Sequence, residues 1–201
     1  LTKTMPGGTE WSAPYDDIIG ALVEETPNLY RIGNPPNRSN LQATPLMVGG
    51  VLYFNTPLSQ GVAVDAETGE TLWVFNPKSY EEGTTSMTVT WRERGVAYWT
   101  DGADEERIFW GTGNGSLVCV HAKTGRPCEN FGQGGIIDAM TGLPRAVRED
   151  RDYLNAMLFS IQSPPIVVRD TVIHGSSIAD RRITKEAVPG WVRAWDVRTG
   201  E

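Results

Sequence analysis

Few side chains in this chain are of the kinds that do chemistry, and their spacing favours little of what they could do. His121 and His174 lie far apart without an evident partner, and no Gly-x-Ser-x-Gly elbow is present to favour a hydrolase. Cys119 and Cys128 are the only cysteines, too few for a zinc site of four good ligands or a disulfide framework. The carboxylates of Asp101, Asp104, Glu105 and Glu106 lack the spacing of a calcium loop and read as a solvated connection. Gly111-Thr112-Gly113-Asn114-Gly115-Ser116 has the glycines of a phosphate cradle but stands between the strand-like runs Ile108–Trp110 and Leu117–Val120. No helix follows it, and Asn114-Gly115 is the favoured dipeptide of a tight hairpin.

The elements that hold these residues are set by composition and pattern. The chain has 201 residues, 18 basic against 25 acidic, and a net charge of −7. That balance, with no basic runs, argues against nucleic acid or an anionic membrane surface as a partner. Hydrophobic residues make up 39%, enough for a globular core, but the apolar runs are strand-sized and none spans a membrane. Leu1 to Pro6 shows no charged region followed by an apolar one, so no signal peptide is expected in the chain as given. Glycine (22) and proline (13) together exceed average usage, which predicts many turns.

An internal repeat organises the turns. Ala63-Val64-Asp65-Ala66-Glu67-Thr68-Gly69-Glu70-Thr71-Leu72-Trp73 is echoed by Ala194-Trp195-Asp196-Val197-Arg198-Thr199-Gly200-Glu201. A degenerate copy, Cys119-Val120-His121-Ala122-Lys123-Thr124-Gly125-Arg126, puts His121 at the Asp position and Glu129 where the Trp would stand. Each copy reads as a hairpin: Gly supplies the positive φ of a type I turn with a bulge, and the leading Asp accepts from the turn amides. In the middle copy this register sets Cys119 opposite Cys128, which leaves open a cross-strand bridge or two small buried hydrophobes.

Two further strand signals precede the hairpin, as in Pro45–Val48 then Val51–Asn55, and Pro165–Val168 then Thr171–His174. Four short strands per unit of about 40 to 50 residues predict an all-β fold of β-propeller blades, each of four antiparallel strands. Three blades are expected at about 43–77, 94–132 and 163–201, after a loop-rich lead-in over 1–42 and with an insertion at about 133–160. The only helical candidates are Tyr15 to Glu25 and Arg145 to Leu158. Three blades do not close a ring of the usual four to eight, so this is an incomplete propeller that needs further blades or another chain at its edges.

The Ala-x-Asp-x-x-Thr-Gly-x-x-x-Trp hairpin resembles the tryptophan-docking repeat of the pyrroloquinoline quinone (PQQ) dependent alcohol and sugar dehydrogenases, the quinoproteins, whose propellers have eight blades. Arg94-Gly95-Val96-Ala97-Tyr98-Trp99 is similar to that family's Arg-Gly-x-Ala-Tyr-Trp segment, and Gly175-Ser176-Ser177-Ile178-Ala179-Asp180 to its Gly-Ser-Ser-Gly-Ala-Glu segment. The resemblance covers about 40–201, the N-terminal part of the propeller.

The resemblance implies a site. PQQ is a flat tricarboxylate quinone, and Arg94 is by resemblance the arginine that binds a carboxylate, a task suited to a guanidinium fork that keeps its charge when buried. Asp180 matches the acid that coordinates Ca2+, an oxygen-ligated hard cation. It is shorter than the family's Glu and sits beside Arg181-Arg182. Ser177, Ile178 and Ala179 are expected along the cofactor edge, with Ile178 replacing a Gly. Gln42 stands where alcohol-oxidising relatives carry Glu, and Gln162 where a Thr touches the cofactor. Thr88 and Val89 stand where methanol-type members carry adjacent cysteines, which favours the sugar or larger-alcohol branch.

The implied reaction moves a hydride from a carbinol carbon to the quinone while a carboxylate base takes the hydroxyl proton. That base belongs to later blades of the family, so no catalytic residue is assigned in this chain. The resemblance also implies a periplasmic location and a cytochrome c or membrane quinone as electron acceptor. The competing expectation is a non-catalytic propeller that keeps the repeat and binds proteins.

Overall fold

The computed structural model describes residues 42–56, 59–79, 93–143, 159–178 and 189–201. The lead-in up to residue 41 and both helical candidates lie outside the described residues. Within them the chain is all-β, and no helix is long and apolar enough to cross a membrane, which says nothing of a β-barrel.

The first sheet is a meander of β1 (Leu46–Val48), β2 (Val51–Asn55), β3 (Gly61–Asp65) and β4 (Thr71–Phe75), antiparallel throughout. The second repeats it with β5 (Ala97–Thr100), β6 (Glu106–Gly111), β7 (Ser116–His121) and β8 (Ile136–Asp138). Next, β9 (Phe159–Ser160) leads into β10 (Ile166–Val168) and β11 (Thr171–His174). The chain leaves to form β12 (Ser177–Ile178), which pairs back onto β9, and returns as β13 (Arg193–Asp196) beside β11.

The turns form as the repeat predicts. Gly69, Gly125 and Gly200 have φ of 74°, 67° and 74°. Asp65 Oδ1 accepts from the amides of Glu67 (3.0 Å) and Thr68 (2.7 Å), and Asp196 Oδ1 from those of Arg198 (2.8 Å) and Thr199 (2.9 Å). The amide of Thr68 is the main cause holding the Asp65 carboxyl below its ordinary range, and that of Thr199 does the same for Asp196. Gly115, at φ 83°, closes the β6–β7 hairpin, so the glycine-rich run is a turn.

The middle hairpin departs from the repeat. After the bridge between Val120 and Pro127 the Cys128 N–H still reaches Cys119 O at 3.1 Å, but no strand continues, because Gly132, Gly134 and Gly135 turn the chain at φ of 57°, 62° and 88° and Gly135 O takes the Cys119 N–H at 2.8 Å. The outer strand is instead β8, which pairs Ile136, Ile137 and Asp138 with Val118, Leu117 and Ser116. It lies in the stretch that the repeat spacing assigns to the insertion.

The two four-stranded sheets and a third of three strands, β10-β11-β13, stack, and β6 and β7 show it. Successive side chains of a strand point to opposite faces. Ile108, Trp110, Val118 and Val120 enter one core cluster with Tyr53 and Ala63 of the first sheet, while Phe109, Leu117 and Cys119 enter another with Val172 and Val197 of the third. A sheet buried on both faces is what face-to-face stacking of successive sheets requires.

Trp73 joins the first two sheets: its Nε1 donates to Ala122 O at 2.8 Å, and its ring fills the space where a Cβ on Gly125 would come within 2.6 Å. At the next interface Glu129 has displaced the tryptophan, and a buried arginine takes over. Arg107 Nη1 donates to Val197 O (2.9 Å) and Arg198 O (3.1 Å), and Val197 is the counterpart of Ala122 in the repeat. Glu105 pairs with the Arg107 guanidinium, and Ile137 packs where a Cβ on Gly200 would stand.

Candidate cofactor site

The starts of the inner strands of the three sheets meet through their backbones. Thr44, two residues before β1, donates its N–H to Arg94 O at 2.9 Å and forms a parallel bridge with Gly95. The Arg94 N–H donates in turn to Gln162 O at 3.1 Å. A Cβ at Gly95, where φ is 145°, would lie 3.0 Å from Thr44 O and in ordinary contact with Pro164 Cβ at 3.6 Å, so the backbone conformation and the approach to Thr44 both favour glycine.

Four of the seven expected binding residues can be followed through this junction. Arg94 holds its centre, exposed, and among the described residues no carboxylate pairs with it. Gln42 lies exposed two residues before Thr44, and Gln162 is half-buried and supplies the carbonyl to Arg94. Ser177 is paired with Ser160, two residues from Gln162. The side chain of Ile178 packs on the core between the second and third sheets, where a Cβ on Gly190 would lie 3.1 Å from its Cδ1. Ala179, Asp180, Thr88 and Val89 lie outside the described residues. Among the described residues no group of three His, Cys, Asp or Glu could hold a metal ion.

The donor set fits an anionic ligand. A guanidinium, two amides and a hydroxyl are carried on adjoining segments, and the one acid next to Arg94 in sequence faces away from water. Glu93 is 2% exposed; its Oε1 accepts from Ser59 Oγ at 3.1 Å, and its Oε2 has no partner among the described residues. Burial pushes this carboxyl well above its ordinary range, and the Ser59 hydrogen bond only partly opposes the shift. Ser59, at φ 61°, is held by Trp110 Nε1 donating to its carbonyl (2.8 Å) and by the Gly113 amide donating to its Oγ (3.2 Å).

Sequence reasoning missed Glu93, because Arg92-Glu93-Arg94 reads as a solvated charge run. The usable signal was its place before a glycine and an alternating apolar strand, where one residue in two turns inward. The histidines are elsewhere. His174 is buried and stacks on Trp195, with centroids 6.3 Å apart and planes 8° from parallel, and burial lowers its pKa.

Comparison with known proteins places the chain in a family. Residues 24–201 match the model of the family described as glucose/ethanol/alcohol dehydrogenase, beta-propeller domain, PQQ. The chain is 28% identical to the quinoprotein glucose dehydrogenase of Escherichia coli K12 over 84% of its length, and 30% identical to the quinate/shikimate dehydrogenase (quinone) of Acinetobacter baylyi over 82%. Among solved structures, the quinohemoprotein alcohol dehydrogenase ADHIIG from Pseudomonas putida HK5 superposes with a TM-score of 0.61 at 27% identity, covering 81% of this chain and 20% of that one. The chain spans 21% of the length of each of the two curated relatives.

Proposed function

Because the chain belongs to the glucose/ethanol/alcohol dehydrogenase β-propeller family of PQQ proteins and forms part of such a propeller, we propose that it is the N-terminal portion of a dehydrogenase that oxidises an alcohol or a sugar. The observation that carries this reading is the junction at Arg94, where the amide is tied to Gln162 O, the carbonyl is tied to Thr44 N–H, and the guanidinium is left exposed.

In this reading Arg94 binds a carboxylate of PQQ. The two fixed backbone bonds position the base of a long side chain, so less freedom is lost when the ligand binds. Gln42, Gln162 and Ser177 offer neutral hydrogen bonds around it, and Ile178 and Ala179 contribute backbone along the cofactor edge. Burial favours the neutral form of Glu93, which lessens the negative charge next to an anionic ligand. Asp180 is proposed as a ligand for Ca2+, supported by its place in the Gly-Ser-Ser-x-Ala-acid segment. When bound, PQQ would supply the hydride acceptor and Ca2+ the Lewis acid beside it. The blades proposed over 43–77, 94–132 and 163–201 supply no catalytic base, which belongs to the remainder of the ring. A periplasmic location and electron transfer to a cytochrome c or a membrane quinone complete the proposal.

The test is to add PQQ and Ca2+ to the full-length protein, follow the quinone absorbance, and measure reduction of an artificial dye with alcohols and sugars. A dehydrogenase gives both signals. A propeller that serves only as a protein-binding scaffold gives neither.

A further inference from the structure

Cys119 and Cys128 sit at the interface that lacks the docking tryptophan. Both side chains are fully buried in the core cluster between the second and third sheets, and the structure holds them as free thiols. The Cys128 amide donates to Cys119 O at 3.1 Å, one hairpin position beyond the Val120–Pro127 bridge, and the two buried thiols lie close enough to perturb each other's titration. That one bond holds Cys128 opposite Cys119, whose own N–H goes to Gly135 O at 2.8 Å rather than back across the hairpin. A disulfide needs Cα atoms roughly 4.4–6.8 Å apart. Facing residues of an antiparallel ladder lie about 4.5–5.5 Å apart at Cα, within that reach, and the other sulfur contact, from Arg107 Nη1 to Cys119 Sγ, is a weak one at 3.9 Å.

We infer that Cys119 and Cys128 form a dithiol that closes to a cross-strand disulfide as the chain folds, stapling the middle hairpin where Glu129 has replaced the tryptophan. The inference rests on the hairpin geometry and is independent of the cofactor reading. The oxidant is another disulfide, of a thiol–disulfide oxidoreductase or of glutathione. One cysteine thiolate attacks it, forming a mixed disulfide and releasing the first thiol. The second cysteine thiolate then attacks the protein sulfur of that mixed disulfide and expels the second thiol. The two cysteines together lose two electrons and two protons, and the incoming disulfide is reduced to two thiols.

The staple would act on the loop from Cys128 to Ile137. That loop reaches the third sheet through the Gly132 amide, which donates to Thr199 O at 2.9 Å, and through Ile137 against Gly200. Arg107, with both its carbonyl acceptors on the third sheet, lies beside the same sulfur. The bridge and the buried arginine would together fill the role that Trp73 has at the neighbouring interface.

The test is to unfold and reduce the full-length protein, refold it with glutathione disulfide, block free thiols with iodoacetamide, and digest with trypsin without reduction. Cleavage after Arg107, Lys123 and Arg145, with the Arg126–Pro127 bond resistant, separates the two cysteines. The expected product is peptide 108–123 joined to peptide 124–145, two hydrogens lighter than the sum of the two and split by dithiothreitol. Recovery of both peptides separately carbamidomethylated, or of either joined to a different peptide, overturns the inference.

Discussion

The Arg94 amide hydrogen-bonds the Gln162 carbonyl at 3.1 Å, across 68 residues of sequence and between two separate sheets. The Arg94 carbonyl is tied to Thr44, and so one dipeptide, Arg94-Gly95, links the inner strand starts of all three sheets. Gly95→Ala would add a Cβ 3.0 Å from Thr44 O at a φ of 145° that side chains rarely adopt. The expected cost is about 1–3 kcal/mol in urea unfolding of the full-length protein, with weaker PQQ binding. Unchanged stability and binding would show that the junction is not tight.

Trp73 and Gly125 make a paired prediction. Trp73→Phe keeps the ring but leaves the buried Ala122 carbonyl without its donor, and should cost about 1–2 kcal/mol. Gly125→Ala meets the Trp73 ring at 2.6 Å, whereas Gly69→Ala, at a similar φ, meets nothing within 4 Å. Both pay for the left-handed backbone, about 1–2 kcal/mol. Only Gly125→Ala adds overpacking, a further 1–3 kcal/mol or so. Equal losses in the two alanine variants would refute the docking role of Trp73.

Arg107→Met should destabilise the protein by about 3 kcal/mol, because it strands two carbonyls of the third sheet and leaves Glu105 without its partner. Glu105 is 30% exposed, so Glu105→Gln should cost less, about 1 kcal/mol. Urea midpoints of the two variants decide the order. A larger loss for Glu105→Gln would mean that the ion pair, rather than the contact with the third sheet, is what Arg107 contributes.

Glu93 sets a pH dependence. Its folded-state pKa lies above the ordinary value of 4.5, so the folded form binds the proton more tightly than the unfolded chain. The stability from that proton is full below pH 4.5 and is lost as pH rises through the folded value. Glu93→Gln keeps the acceptor for Ser59 and has no proton to lose. Its urea midpoint should gain on the parent protein as pH rises from 4.5 toward neutrality. A constant difference across that range would mean that Glu93 titrates normally.

What was legible in the sequence was local. Asp65 and Asp196 cap their turns, Asn114-Gly115 closes a hairpin, and β1, β2, β10 and β11 fall on the predicted runs, because a turn or an alternating strand is encoded within a few consecutive residues. What was not legible depends on long-range register. Glu105-Glu106-Arg107 reads as a solvated charge run until the third sheet packs on Arg107. The outer strand β8 could not be foreseen from the repeat, because the ladder stops after Cys128 and three glycines carry the chain around to Ile136. At the candidate site, the motif around Arg94 was visible, while the acid beside it was hidden by the charges that flank it.

The central claim, that Arg94 binds a carboxylate of PQQ, is tested most directly by titrating PQQ, with Ca2+ present, into full-length Arg94→Ala. The control is Arg126→Ala, which removes an exposed arginine on the middle hairpin turn. Losing a charge-assisted fork should weaken binding about 10- to 100-fold in Arg94→Ala and leave Arg126→Ala at the affinity of the parent protein. Equal affinity in all three proteins would contradict the account.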